Sequence, residues 1–73
     1  MNKFSQRLKE LRLNKGDTQK IIADYLGIIP HAYQKYEYGE REPNIDKLIA
    51  IAEYFDVSLD WLVGRSETQA RQP

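Results

Sequence analysis

The sequence predicts an all-α fold, a compact bundle of five helices. Apolar residues recur at three- and four-residue intervals along most of the chain, which is the spacing of one helix face. Each of the four glycines follows such a stretch, where glycine readily adopts the left-handed conformation that ends a helix. No segment alternates apolar and polar residues for long enough to predict a strand.

The first two helices are predicted over residues 3–14 and 18–26. Their inward faces consist of six apolar residues at helical spacing: Phe4, Leu8, Leu11, Ile22, Ala23 and Leu26. Thr18 suits the position before the second helix, because its hydroxyl accepts a hydrogen bond from a free N–H of the first turn. Gly16 and Gly27 follow the two helices and mark their ends.

The third helix is predicted over residues 30–38. Pro30 favours its first position, where no N–H is needed, and it also restricts Ile29 to an extended conformation. Tyr33 and Tyr36 lie three residues apart and share one face of this helix. We expect that face to pack into the core, and stacking on nucleic-acid bases is the alternative.

Two further helices are predicted over residues 45–55 and 59–63. Asn44 and Ser58 are suitable N-terminal caps, and Asp56 stands where a positive φ is expected, which aspartate tolerates better than most residues. The apolar residues of these helices again follow a helical spacing: Ile45, Leu48, Ile51, Ala52, Phe55, Leu59, Trp61 and Leu62.

The last segment, residues 65–73, has almost no apolar side chains, which predicts a disordered tail after a folded domain of residues 1–64. A domain of this size supports one small core of modest stability. No apolar run approaches the ~20 residues that a bilayer requires, and the N-terminus lacks the apolar segment of a signal peptide. We therefore expect a cytoplasmic protein without a membrane-spanning helix.

The residue types argue against catalysis and for a polarised surface. The chain has no cysteine, and His31 alone does not form a metal site. The carboxylates fall on different predicted helices without a nucleophile, so no enzyme activity, cofactor or small-molecule ligand is expected. Residues 1–41 hold eight Lys/Arg and five Asp/Glu, a net charge of +3, whereas residues 42–73 have a net charge of −3. A basic half of this kind favours contact with phosphate.

Residues 19–38 combine the features of two helices joined by a tight turn. Ala23 is small where the two helices approach closely, Gly27 makes the turn, and Ile28 fills the corner. The second helix begins three residues after Gly27. This arrangement is a helix-turn-helix, in which the first helix crosses the phosphate backbone and the second enters the major groove of DNA.

The sequence resembles the Cro/C1-type, phage-repressor-like family of helix-turn-helix transcriptional regulators over residues 5–64. The matching stretches are residues 7–12 (RLKELR), 17–19 (DTQ), 22–28 (IADYLGI), 35–43 (KYEYGEREP) and 55–62 (FDVSLDWL). The resemblance implies a five-helix bundle that binds operator DNA, commonly as a homodimer. Transcriptional repression by occupation of an operator is therefore the expected function.

The resemblance also assigns candidate DNA-binding residues. Gln19 falls at the start of the second helix, where a side chain bonds phosphate and steadies a reading residue. Arg12 and Arg41 are further phosphate candidates. The outward face of the third helix consists of six residues: Ile29, Pro30, His31, Gln34, Lys35 and Tyr38. For His31, Gln34 and Lys35, a plain solvated surface is the alternative interpretation.

The first turn of the third helix departs from the family pattern. Ile29 stands where Ser or Thr is usual, and Pro30 has no donor, so its contact with DNA is limited to packing, for example on a thymine methyl. Gln34 and Lys35, one turn further on, are better candidates than Ile29 and Pro30 for base-specific contacts. Glutamine forms hydrogen bonds with adenine, and lysine with guanine.

Two supporting roles are also predicted. The family pattern favours a structural ion pair between Arg7 and Glu37. A candidate dimer interface consists of four apolar residues of the acidic half: Ile49, Leu59, Trp61 and Val63. For Trp61, closure of the core is an equal alternative to a place in an interface.

A second function remains open, a protein-interaction module on the same scaffold, such as an antitoxin-like or anti-repressor partner. Ile21, Ile29 and Pro30 make the expected DNA face more apolar than usual, and the neutral net charge points the same way.

Overall fold

The computed structural model describes residues 3–71 of the 73-residue chain. Within that range it contains five helices and no strand: α1 (Phe4–Lys15), α2 (Gln19–Leu26), α3 (Pro30–Tyr38), α4 (Ile45–Phe55) and α5 (Leu59–Leu62). The all-α, five-helix prediction is confirmed, and each helix limit agrees with its predicted position to within one residue. Residues 1–2 of the predicted domain and residues 72–73 of the predicted tail lie outside the described residues.

The helices begin and end where the sequence places caps. The side chains of Thr18, Asn44 and Ser58 each accept a hydrogen bond from a backbone N–H three residues later. At the C-terminal end of α4, Asp56 has a φ of 56°, the one positive φ of a non-glycine residue in the described chain. The predicted left-handed conformation of Asp56 is confirmed.

The core is formed by residues from all five helices. α1 packs on α3 and α5, α2 packs on α3 and α4, and α4 packs on α5. The most deeply buried large side chains come from each of these elements: Phe4, Leu8, Ile22, Tyr33, Ile51 and Leu62. Tyr36 is also buried, so the prediction that Tyr33 and Tyr36 pack inward is confirmed. At typical transfer values, each such side chain contributes about 1.5–3 kcal/mol through burial.

The segment after α5 differs from the disordered tail predicted from residue 65. As far as residue 71 it forms neither helix nor strand, but it contacts the helical body. The Ser58 N–H donates to the Gln69 carbonyl at 2.8 Å, and Glu67 forms ion pairs with Lys3 at 2.8 Å and Arg7 at 3.1 Å. Hydrogen bonds and ion pairs thus position a segment that has little apolar surface to bury.

Among residues 3–71, no helix combines the length and apolar character that crossing a bilayer requires.

Candidate nucleic-acid interface

The turn between α2 and α3 determines how α3 projects from the body. Gly27 has a φ of 72° and ends α2, and its N–H donates to the Ala23 and Asp24 carbonyls. Ile28 is partly buried against the core. Ile29 is extended, with φ −76° and ψ 152°, and Pro30 is the first residue of α3. Only three residues therefore separate α2 from α3, and such a short connection is typical of a helix-turn-helix.

One face of α3 is turned away from the core. Ile29 and Tyr38 are 66% and 63% exposed, and Pro30 and His31 are also exposed. Gln34 and Lys35 are half-buried. The six residues that the sequence assigned to the outward face of α3 thus lie on its accessible side. That side presents apolar groups at its start and polar groups one turn later.

A buried ion pair joins the opposite face of α3 to α1. The Arg12 Nε and Nη2 atoms donate to the two Glu37 carboxylate oxygens at 2.6 and 3.1 Å. The Arg12 and Glu37 side chains are 11% and 1% exposed. Tyr33 donates its hydroxyl proton to Glu37 Oε2 at 2.6 Å, and Arg12 Nη1 donates to the Asp17 carbonyl at 3.1 Å. A buried carboxylate needs such partners, because its desolvation is costly without them.

These hydrogen bonds keep Glu37 ionised. Burial opposes the charged form, but hydrogen bonds from Arg12, Tyr33 and Gln19 outweigh it and lower the pKa of Glu37 below its usual value. Burial and the bond to the same carboxylate raise the pKa of the Tyr33 hydroxyl far above its usual value. Tyr33 is therefore a neutral donor and Glu37 an anionic acceptor at neutral pH.

Gln19 and Gln34 extend this network to the exposed side. Gln19 Nε2 donates to Glu37 Oε1 at 3.2 Å. Gln34 Nε2 donates to Gln19 Oε1 at 3.0 Å. The first residue of α2 thus touches both the buried carboxylate and a residue of the outward face of α3.

The predicted ion pair between Arg7 and Glu37 is wrong. Arg7 lies five residues before Arg12 on α1 and faces α5 and the segment after it. Its Nη1 atom donates to the Trp61 and Ser66 carbonyls, and its Nη2 atom donates to Glu67. Its guanidinium also lies over the Trp61 ring, 4.5 Å from the centroid. Five residues along a helix correspond to a rotation of about 140°, so the two arginines meet different neighbours.

Arg12 was predicted to contact a phosphate, but the structure places it in the buried ion pair with Glu37. Its guanidinium bonds Glu37 and the Asp17 carbonyl and is nearly buried, so it supports the position of α3 rather than projecting to a ligand. Arg41 is exposed in the loop after α3, and its backbone N–H donates to the Lys35 carbonyl at 3.3 Å.

The candidate dimer residues fall into two groups. Ile49 is 41% exposed and Ile45, four residues earlier on α4, is 61% exposed. Leu59 and Val63 are partly buried beside them and line a shared groove with Ile45. Trp61 is 9% exposed and belongs to the core. The prediction that Trp61 belongs to the dimer interface is therefore wrong, because Trp61 packs inward under Arg7.

The sequence did not reveal that Tyr33 and Gln19 would share the Glu37 carboxylate. The spacing of Tyr33 and Glu37 contained the signal, because residues four apart on a helix are neighbours. No comparable pattern relates Gln19 to Glu37, which meet only when α2 folds against α3.

The turn geometry and the exposed face of α3 define a helix-turn-helix protein. The family model described as Helix-turn-helix matches residues 8–62. The chain belongs to this family, in the Cro/C1-type branch that its motifs resemble.

Named relatives are bacterial and phage regulators. The chain is 50% identical over 60 residues to the uncharacterized HTH-type transcriptional regulator YqaE of Bacillus subtilis, covering 82% of this chain and 52% of that protein. It is 39% identical over 70 residues to the cryptic phage CTXphi transcriptional repressor RstR of Vibrio cholerae, covering 96% of this chain and 62% of that protein. The chain thus spans little more than half the length of these relatives.

Two solved structures are similar. A transcriptional regulator from Listeria innocua superposes with a TM-score of 0.83 at 33% identity, covering 94% of this chain and 64% of that one. The P22 c2 repressor, solved in complex with a synthetic operator, superposes with a TM-score of 0.80 at 24% identity, covering 86% of this chain and 96% of that one. The second likeness establishes the fold.

Proposed function

We propose that this chain binds double-stranded DNA sequence-specifically and regulates transcription, as a repressor that occupies an operator. The main support is the accessible face of α3. The opposite face of the same helix is held against α1 by the buried Arg12–Glu37 pair. Such a helix fits the major groove of B-DNA. The proposed function involves no catalysis, and it places the protein in the cytoplasm beside the DNA of a bacterial cell.

The residues of the interface have different roles in this proposal. Gln34 and Lys35 contact base edges in the second turn of α3. His31 and Tyr38 contact bases or phosphates on either side of them. Gln19 and Arg41 contact phosphates, which position the protein without specifying sequence.

Ile29 and Pro30 form the apolar start of α3 and pack on thymine methyl groups or sugars. Because neither side chain has a donor, the first turn of α3 contributes shape rather than hydrogen-bond readout. Pro30 also fixes the angle at which α3 leaves the turn.

We also propose that two copies bind together through Ile45, Ile49, Leu59 and Val63. Ile45, Leu59 and Val63 line one groove, and Ile49 lines a neighbouring groove with Leu59, so the four apolar groups lie close together in the acidic half of the chain. A two-fold pair would present two α3 helices to successive major grooves, ~34 Å apart.

Charge reversal at Lys35 tests the proposed interface. We expect Lys35→Glu to abolish binding to a random-sequence duplex in fluorescence anisotropy at low salt. Lys9→Glu, an equal charge change on the exposed side of α1, is the control and should retain most of the affinity. Wild-type binding should weaken steeply as salt rises, because phosphate contacts release counterions. Salt-independent binding, or equal behaviour of the two variants, would contradict the proposal.

The second candidate function is a protein-interaction module on this scaffold. It is favoured by the exposure of two apolar side chains, Ile21 on α2 and Ile29 before α3, which are 47% and 66% accessible. Under this alternative, Lys35→Glu would leave partner binding intact, and the wild type would select no sequence from random duplex DNA.

A further inference from the structure

Asp17 lies in the connection between α1 and α2, two residues before Gln19, which the proposed function places on a phosphate. The Asp17 backbone is held from α1. Its N–H donates to the Arg12 carbonyl at 3.2 Å, and its carbonyl accepts a hydrogen bond from Arg12 Nη1 at 3.1 Å. The path of the chain at this point is therefore fixed without the Asp17 side chain.

The Asp17 carboxylate is bonded to a different helix. The hydroxyl of Tyr54, near the end of α4, donates to Asp17 Oδ2 at 2.5 Å. This bond raises the pKa of the Tyr54 hydroxyl above its usual value, so Tyr54 is a neutral donor at neutral pH. The side chain of Asp17 thus bonds α4, whereas that of Gln19, two residues later, bonds α3.

The Tyr54 ring is held in place by its neighbours. Its centroid lies 4.6 Å from that of Tyr25 on α2 and 4.9 Å from that of Phe55. The ammonium group of Lys15, at the end of α1, lies over the ring at 3.6 Å from the centroid. A ring with these contacts keeps its hydroxyl in one position, and the carboxylate bonded to that hydroxyl is held in one direction with it.

The direction of this carboxylate affects the approach of an anion to the start of α2. Asp17 is only half-buried, and a carboxylate repels a phosphate more strongly as the distance between them falls. While Tyr54 holds the carboxylate on α4, the negative charge is turned to a different helix from the partners of Gln19. An acid can then stand two residues before a phosphate contact without opposing it.

We infer that Tyr54 is a positioning residue for DNA binding, whose hydroxyl turns the Asp17 carboxylate toward α4 and away from the phosphate at the start of α2. The inference rests on the proposed function, because it explains how that interface accommodates an acid beside Gln19. Tyr54 acts through Asp17 and does not touch DNA itself. Loss of the hydroxyl releases the carboxylate, which then opposes the phosphate.

Fluorescence anisotropy with a random-sequence duplex at low salt tests this inference, because phosphate contacts do not depend on sequence. We expect Tyr54→Phe, which removes only the hydroxyl, to weaken binding about two- to fivefold. The difference should shrink as salt rises, because salt screens the repulsion. Tyr25→Phe, the same change on the adjacent ring, is the control and should keep the wild-type affinity.

Removal of the charge at Asp17 separates this role from a structural one. Asp17→Asn keeps a carbonyl oxygen for the Tyr54 hydroxyl and should bind DNA at least as tightly as the wild type. Combined with Tyr54→Phe, it should restore the lost affinity, because no carboxylate remains to repel the phosphate. If the hydroxyl were merely structural, the double variant would stay as weak as Tyr54→Phe. Circular dichroism of each variant establishes that it is folded before affinities are compared.

Three results would overturn the inference alone: wild-type affinity in Tyr54→Phe, weaker binding by Asp17→Asn, or a double variant whose affinity is not restored. If the wild type itself binds no duplex at low salt, the proposed function fails and the inference fails with it.

Discussion

Glu37 joins three helices through one buried carboxylate. Arg12 from α1, Gln19 from α2 and Tyr33 from α3 all donate to it. Replacement of a whole buried ion pair by apolar residues often changes the free energy of unfolding little. Removal of one partner alone lowers it strongly, because the other charge stays buried without a partner. The network should therefore dominate the response of the protein to mutation near α3.

Arg12→Met is the sharpest test of this network. We expect it to lower the free energy of unfolding by about 3–5 kcal/mol, because Glu37 loses its cationic partner inside the core. Urea denaturation followed by circular dichroism measures the change. Arg41→Met, at an exposed loop position, is the matched control and should remain within about 0.5 kcal/mol of the wild type. Equal losses in the two variants would show that Glu37 does not need Arg12.

The same network predicts a pH dependence. The folded-state pKa of Glu37 is lowered, so its contribution to stability is present above the unfolded value of about 4.3. That contribution is lost as the pH falls through the folded pKa. The stability difference between the wild type and Glu37→Gln should thus be large at pH 7 and smaller at pH 3. Glu53→Gln, exposed on α4, should show no such change. A difference that grows toward low pH would contradict the assignment.

At the scale of the single residue, sequence reasoning was least reliable. It placed Glu37 in an ion pair but chose Arg7, and the partner is Arg12. Both arginines lie on α1, and only the packing of α1 against α3 and α5 decides which one meets the carboxylate. Trp61 posed the same difficulty, since an aromatic residue at a helix surface suits a core and an interface equally.

At the scale of the element, α3 differs from its neighbours at its N-terminus. Thr18, Asn44 and Ser58 cap α2, α4 and α5 with side-chain hydrogen bonds, whereas Ile29 makes none. The backbone at Ile29 nevertheless has the extended conformation that an N-cap requires. The free N–H groups at this end of α3 therefore remain available, beside the side chains proposed to touch DNA.

We expect Ile29→Ser to stabilise the protein by about 1 kcal/mol, because serine supplies the missing cap and Ile29 buries little surface. Thermal unfolding at fixed pH measures the gain. Ile21→Ser, the same change at an exposed position within α2, has no cap to form and should give no gain. A loss of stability in Ile29→Ser would mean that packing at this residue outweighs capping.

The elements themselves were largely predictable, because their signals are local. Gly16, Gly27 and Gly39 end three helices with positive φ, as their positions after helical stretches indicated. The segment after residue 64 was not predictable in the same way. Its contacts, such as that of Glu67 with Lys3, join the two ends of the chain and leave no local pattern.

At the scale of the whole molecule, the proposed dimer depends on the apolar side of α4 and α5. Ile49→Glu should shift the chain to a monomer in sedimentation equilibrium, because the two copies would each bury an unpaired carboxylate in the proposed interface. Leu13→Glu, at a 56% exposed position on α1, is the control and should keep the wild-type mass distribution. A wild type that is monomeric at high concentration would contradict the proposed interface.

The central claim is that α3 reads DNA sequence. Selection from random duplex DNA, followed by sequencing of the bound pool, tests this most directly. The account predicts an enriched palindrome whose half-sites are centred about 10–10.5 base pairs, or one helical turn, apart. A pool that stays random after repeated rounds, at a salt concentration where the protein still binds DNA, would contradict it.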